Sequence, residues 1–99
     1  MDFEGFDWDA GNREKCRKHG VSVREIEEVL LGHPIFAPDR AHSSPAEQRF
    51  IAVGRTLAGR AMFVAFTVRL KGGRKLARPV SARYMHKKEA DRYARQTSN

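Results

Sequence analysis

The spacing of apolar side chains changes once along this chain, at Pro34. Upstream, Val23, Ile26, Val29 and Leu30 fall at helical intervals and form one stripe. Downstream, apolar residues gather in four short runs, "IFAP", "RFIAVGR", "RAMFVAFTVR" and "KLARPVSARY", parted by polar or glycine-containing stretches. Helices first and consecutive strands second predict an α+β fold rather than alternating α/β. The connections "TLAG" and "LKGGRK" are short and contain glycine, which favours antiparallel hairpins.

Local signals fill in the rest. "DFEGFDWD" alternates, with Phe6 and Trp8 on one face and Asp7 and Asp9 on the other, as in a short strand. Asp9 then caps a polar helix, "AGNREKCRKHG", whose inward candidates are Ala10 and Cys16 and which Gly20 stops. Ser22 and Glu25 have capping-box spacing, Val21 can staple onto Ile26, and Gly32 and Pro34 end the second helix. The apolar run "MFVAF" predicts a strand covered on both faces or central in the sheet. Pro79 cannot donate a ladder hydrogen bond, so its strand is an edge or carries a bulge beside Arg83. Residues 86–96 close the chain as a helix. The predicted order is β-α-α-β-β-β-β-α in one domain over residues 1–99: an antiparallel sheet with two N-terminal helices and one C-terminal helix packed on it.

Charge is partitioned along this plan. Residues 1–33 hold five Lys/Arg against eight Asp/Glu, a net −3, whereas residues 34–99 hold fourteen against four, a net +10. A positive surface of that size concentrates polyanions, which makes nucleic acid the leading ligand class and an acidic protein the main competitor. The single cysteine, Cys16, allows no internal disulfide or cysteine-based metal cluster and suits a reducing cytosol. No apolar run reaches membrane-spanning length, and the acidic N-terminus is unlike a signal peptide, so a cytoplasmic protein away from membranes is expected.

Most catalytic classes lack their residues. His19, His33, His42 and His86 are scattered, with no metal-ligand spacing, and His19 and His33 read as helix-end or surface groups. "KGGRK" is a hairpin tip rather than a phosphate loop, and no serine-nucleophile motif is present. No metal and no cofactor are expected. What remains is acid–base chemistry on a phosphodiester. Cleavage of RNA through its 2′-hydroxyl needs a base, an acid and arginines for the crowded phosphate. Arg49, Arg69 and Arg83 stand at predicted strand ends, and Glu47 and His42 lie in the polar loop "DRAHSSPAEQ". The C-terminal helix has an ordinary reading, with Lys87 and Lys88 paired to Asp91, and Arg92 and Arg95 paired to Glu89 and Asp91.

The ordered pieces "FDWD", Asn12, "KHGVS", "PDRAHS", "EQRFIAVGR" and "VSAR" followed by "KKE" and Tyr93 resemble the BrnT-type toxins of bacterial type II toxin–antitoxin pairs, over nearly the whole length. The resemblance implies a small ribonuclease of RelE-like fold that arrests translation. It also implies a cognate ribbon-helix-helix antitoxin, with operator DNA bound only through the toxin–antitoxin complex. By position it highlights Glu47, Arg49, Ser81, Arg83, Glu89 and Tyr93. Two positions depart from the family pattern: Pro79, often β-branched, and His86, often a threonine completing a capping box with Glu89. The expected site is Arg83 and Arg49 on the scissile phosphate, with Glu47 and His42 for proton transfer. Arg69, Arg74, Arg78, Lys87 and Lys88 would hold flanking phosphates. The alternatives are a non-catalytic nucleic-acid-binding module and a protein whose basic surface serves only to bind an antitoxin.

Overall fold

A computed structural model describes residues 1–97. The elements run β1 (Gly5–Phe6), α1 (Ala10–Arg17), α2 (Val23–Leu31), β2 (Ile35–Pro38), a 3-10 turn (Arg40–His42), β3 (Arg49–Arg55), β4 (Ala61–Lys71), β5 (Arg74–Tyr84) and α3 (Lys87–Thr97). They form one five-stranded sheet in the order β1-β5-β4-β3-β2, so the α+β expectation holds. The sheet is mixed, however, and not antiparallel throughout. β1 runs parallel to β5, with Gly5 opposite Leu76 and Phe6 opposite Ala77, while the other three pairings are antiparallel. Hairpins dictate antiparallel pairing only between consecutive strands, and β1 meets β5 from the far end of the chain.

Both early helices are capped as their sequences specify. Ser22 Oγ accepts the Glu25 N–H at 3.1 Å, and Glu25 accepts the Ser22 N–H at 3.1 Å. On α1 the partner of Asp9 is Asn12: Asp9 Oδ1 accepts the Asn12 N–H at 3.0 Å, and Asn12 Oδ1 accepts the Asp9 N–H at 2.7 Å. α1 ends at Arg17, and Gly20, at φ 78°, turns the chain toward α2. Ala10 faces solvent; the buried residues of α1 are Asn12 and Cys16. Burial pushes the Cys16 thiol up to about 11, which makes it a core residue rather than a nucleophile.

β4 is the middle strand, as "MFVAF" suggested. Met62, Val64 and Phe66 are fully buried on one face against Ile26, Val29 and Leu30 of α2, with Cys16 of α1 in the same cluster. Phe66 also centres an aromatic group, meeting Phe3, Phe36 and Phe50 at centroid distances of 5.5, 5.9 and 5.6 Å. Phe63 and Ala65 alternate onto the opposite face, which the two N-terminal helices leave open.

Pro79 marks a bulge. Ala65 pairs with Ser81 and Phe66 with Pro79, so Val80 is the extra residue. Past it, the side-chain alternation of β5 is inverted. Arg78, opposite Thr67, and then Ser81 and Arg83, opposite Ala65 and Phe63, all project from the open face. Without the extra residue Arg83 would point into the core. Asn12 fastens this irregularity, since its Nδ2 donates to the Pro79 carbonyl and to the Asp7 carbonyl, each at 2.9 Å.

Candidate active site

The open face carries a cleft of about 360 Å³ across β5, β4 and β3. Its floor is Ala65, Phe63 and Ile51, alternate residues of two adjacent strands. Arg49 borders it from the start of β3, and Ser81 and Arg83 from β5. Asp39 and His42 enter from the connection between β2 and β3, and His19 from the turn after α1.

The connection is ordered by one hydroxyl. Ser43 Oγ donates to the Asp39 carbonyl at 2.7 Å and accepts the Arg49 N–H at 2.9 Å, while the Asp39 N–H donates to the Arg49 carbonyl at 2.8 Å. Asp39 and Arg49 are thereby locked together. The Asp39 carboxylate holds Nδ1 of His42 at 2.9 Å. With Nδ1 carrying its proton toward that carboxylate, Nε2 is left as the basic nitrogen.

Arg83 is held end-on by Glu89, with Nη1 to Oε1 at 2.9 Å and Nη2 to Oε2 at 3.1 Å, and its guanidinium lies 4.4 Å from the Phe63 ring centroid. A second Nη1 bond reaches the Tyr84 carbonyl at 3.3 Å. A guanidinium has five N–H donors, so the side fork of Nε–H and the second Nη2–H remains for another acceptor. Glu89 also accepts the His86 N–H at 2.9 Å, which keeps half of a capping box although His86 lacks the hydroxyl for the other half.

The Arg83 hydrogen bonds and the His86 N–H hold the Glu89 carboxyl down at about 2, against an ordinary 4.5. A depressed carboxyl stabilises the fold fully above its unfolded value and loses that contribution as pH falls through its folded one. Wild-type stability should therefore drop more steeply than that of Glu89→Gln between pH 4.5 and pH 2. Urea-denaturation midpoints across that window would check this; equal slopes would contradict it.

Arg49 differs from Arg83. It is half-buried and makes no ion pair among the described residues, and its Nε is buried without a partner, as is Oγ1 of Thr67 directly opposite on β4. Its guanidinium is thus placed by its strand and not neutralised by a carboxylate among the described residues, whereas Arg83 is held by Glu89.

The remaining sequence candidates lie elsewhere. Glu47 does not line this cleft; it binds Arg69 at 2.7 Å in a neighbouring depression with Phe50 and Val68. Arg78 is held by Asp9 at 2.9 Å and Asp7 at 3.5 Å, and Lys71 joins Asp7 at 3.0 Å. Arg74 donates to the Glu4 carbonyl. Lys87 pairs with Asp91 at 3.2 Å, and Lys88 is exposed. Glu89, which the sequence offered to the C-terminal helix's own arginines, is bound by Arg83. Reasoning from sequence missed Asp39, Ser43 and His19. For Asp39 a signal existed, since Asp-x-x-His across a turn places carboxylate and imidazole within reach. Among the described residues no three His, Cys, Asp or Glu side chains gather as a metal-binding group, and no helix is long and apolar enough to cross a membrane.

The α+β fold thus brings two arginines over a shallow apolar floor, with a carboxylate-oriented imidazole at the rim. A family model described as "Ribonuclease toxin, BrnT, of type II toxin-antitoxin system" matches residues 8–89. The chain belongs to this family, which makes its class that of ribonuclease toxins, with RNA as substrate and an antitoxin as partner. A comparison with curated proteins found no match.

Proposed function

We propose that this chain is a toxin that cleaves RNA by metal-independent transesterification in the cleft, arresting translation in the cytoplasm. The observation that carries the reading is the pairing of Arg49, without a carboxylate of its own, with Arg83, whose side fork is open. Two such forks match the non-bridging oxygens of one phosphodiester. His42 Nε2, set by Asp39, takes the proton of the 2′-hydroxyl. The 2′-oxygen attacks phosphorus, the bond from phosphorus to the 5′-oxygen breaks, and a 2′,3′-cyclic phosphate forms. Ser81 offers a further hydroxyl donor to the phosphate.

Flanking phosphates would run past Arg74 on one side and Lys87 and Lys88 on the other, with Arg69 reached in competition with Glu47 and Arg78 in competition with Asp7 and Asp9. The antitoxin would be a ribbon-helix-helix protein that covers this basic face with an acidic segment and carries the complex to operator DNA. The test is digestion of RNA by purified protein, with and without EDTA, beside Arg49→Ala. Cleavage that survives EDTA, leaves cyclic phosphate ends and falls at least tenfold in the variant is expected. Intact RNA with the wild type would overturn the reading.

A further inference from the structure

The cleft holds a second imidazole with no assigned role, and we propose that His19 is the general acid that protonates the departing 5′-oxygen. The inference rests on the ribonuclease reading above and completes its proton inventory. In-line displacement at phosphorus puts the attacking and leaving oxygens on opposite sides. A base and an acid must therefore stand on opposite rims of the phosphate site. The fold supplies that arrangement. His42 comes from the connection beside β3, whereas His19 comes from the turn after α1, which packs along β5 and is fastened to it by Asn12. β3 and β5 flank β4, so the two sides are two strand spacings apart, roughly 10 Å.

The other polar groups of the cleft are unsuited to the task. Arg49 and Arg83 do not release protons near neutral pH, and a serine hydroxyl such as Ser81 is too weak an acid. Asp39 is committed to His42 Nδ1. His19 is exposed and has no hydrogen-bond partner among the described residues, so its ring is free to turn toward the leaving group. An imidazolium there transfers its proton to the 5′-oxygen as the phosphorus–oxygen bond breaks, leaving a 5′-hydroxyl and a neutral imidazole. The proton that His42 gained and the one that His19 lost balance over the step.

The experiment compares two substrates: a dinucleoside phosphate, whose alkoxide leaving group needs a proton, and a nucleoside 3′-(p-nitrophenyl phosphate), whose phenolate does not. His19→Gln should cut the dinucleotide at least 100-fold more slowly than wild type while hydrolysing the nitrophenyl ester within tenfold of it. His42→Gln should lose both. Thermal melts of His19→Gln and His19→Asn, an exposed position, establish that the fold is intact. Equal losses on the two substrates would make His19 a binding residue and overturn the assignment, as would wild-type rates on both. Wild-type protein inert toward both substrates would instead overturn the ribonuclease reading, and this assignment with it.

Discussion

Arg83→Ala protein should cleave RNA roughly 100- to 1,000-fold more slowly than wild type, with the loss in kcat rather than KM. That magnitude is typical of removing one preorganised donor from a developing oxyanion. The preorganisation is visible: Glu89 grips the end of the guanidinium through two bonds, Phe63 lies against it, and Arg83 lines the cleft. Arg83→Lys should recover little, because an ammonium cannot bind Glu89 bidentately and offer a planar fork to phosphate at once. Glu89→Gln should fall between, since the guanidinium survives with its orientation loosened. Single-turnover cleavage of a labelled RNA at saturating enzyme separates these cases. An Arg83→Ala protein that folds and cuts at the wild-type rate would remove this arginine from the phosphate site.

The largest effect on stability is expected at Asn12. Its side chain is 4% exposed and spends both amide protons and its oxygen on backbone groups: the Asp7 and Pro79 carbonyls and the Asp9 N–H. Asn12→Ala would leave two carbonyls buried and unsatisfied, at about 1–3 kcal/mol each, and would halve the cap of α1. A net loss of about 3 kcal/mol is expected, a large fraction of the 5–15 kcal/mol typical of small domains. For a chain of this length that corresponds to a fall in Tm of roughly 12–24 °C. Asn12→Asp would keep the cap acceptor but turn an oxygen toward two carbonyls, so it should be no better. Thermal denaturation of both variants decides this. A shift under 5 °C would show that Asn12 does not hold the bulge in place.

The parts of the fold legible in the sequence are those whose causes are local. Ser22 and Glu25 placed α2, and the "TLAG" and "LKGGRK" turns placed β3 to β5 within one or two residues. The parallel contact of β1 with β5 was not legible, because its partners lie some seventy positions apart and no turn encodes it. For the same reason the alternation of "DFEGFDWD" put Asp7 on the face away from Phe6 but gave no sign of what covers it. Asp7 is in fact buried under Lys71 and Arg78, which only the sheet order brings there. Of the catalytic candidates, Arg49, Arg83 and His42 share the cleft and Glu47 does not. A loop of ten residues gives no period from which to tell its inward side chains from its outward ones. His19 read as a helix-end group because nothing local to "KHG" reveals that its turn lies against β5.

The contact of Asp7 and Asp9 with Lys71 and Arg78 changes what the chain's high positive charge can do. Binding of a polyanion draws much of its free energy from expelling condensed counterions, and log affinity then falls with log salt by about 0.7 for each single-strand phosphate neutralised. Cations already matched by carboxylates of the same chain have less to gain, because a nucleotide reaching them must first displace Asp7, Asp9 or, at Arg69, Glu47. The acidic N-terminus thus acts as a tethered competitor on one part of the sheet. RNA titrations at increasing salt should give a slope counting only a few phosphates, set by the cleft and the exposed lysines rather than by all fourteen basic residues after Pro34. Asp7→Asn together with Asp9→Asn should steepen it.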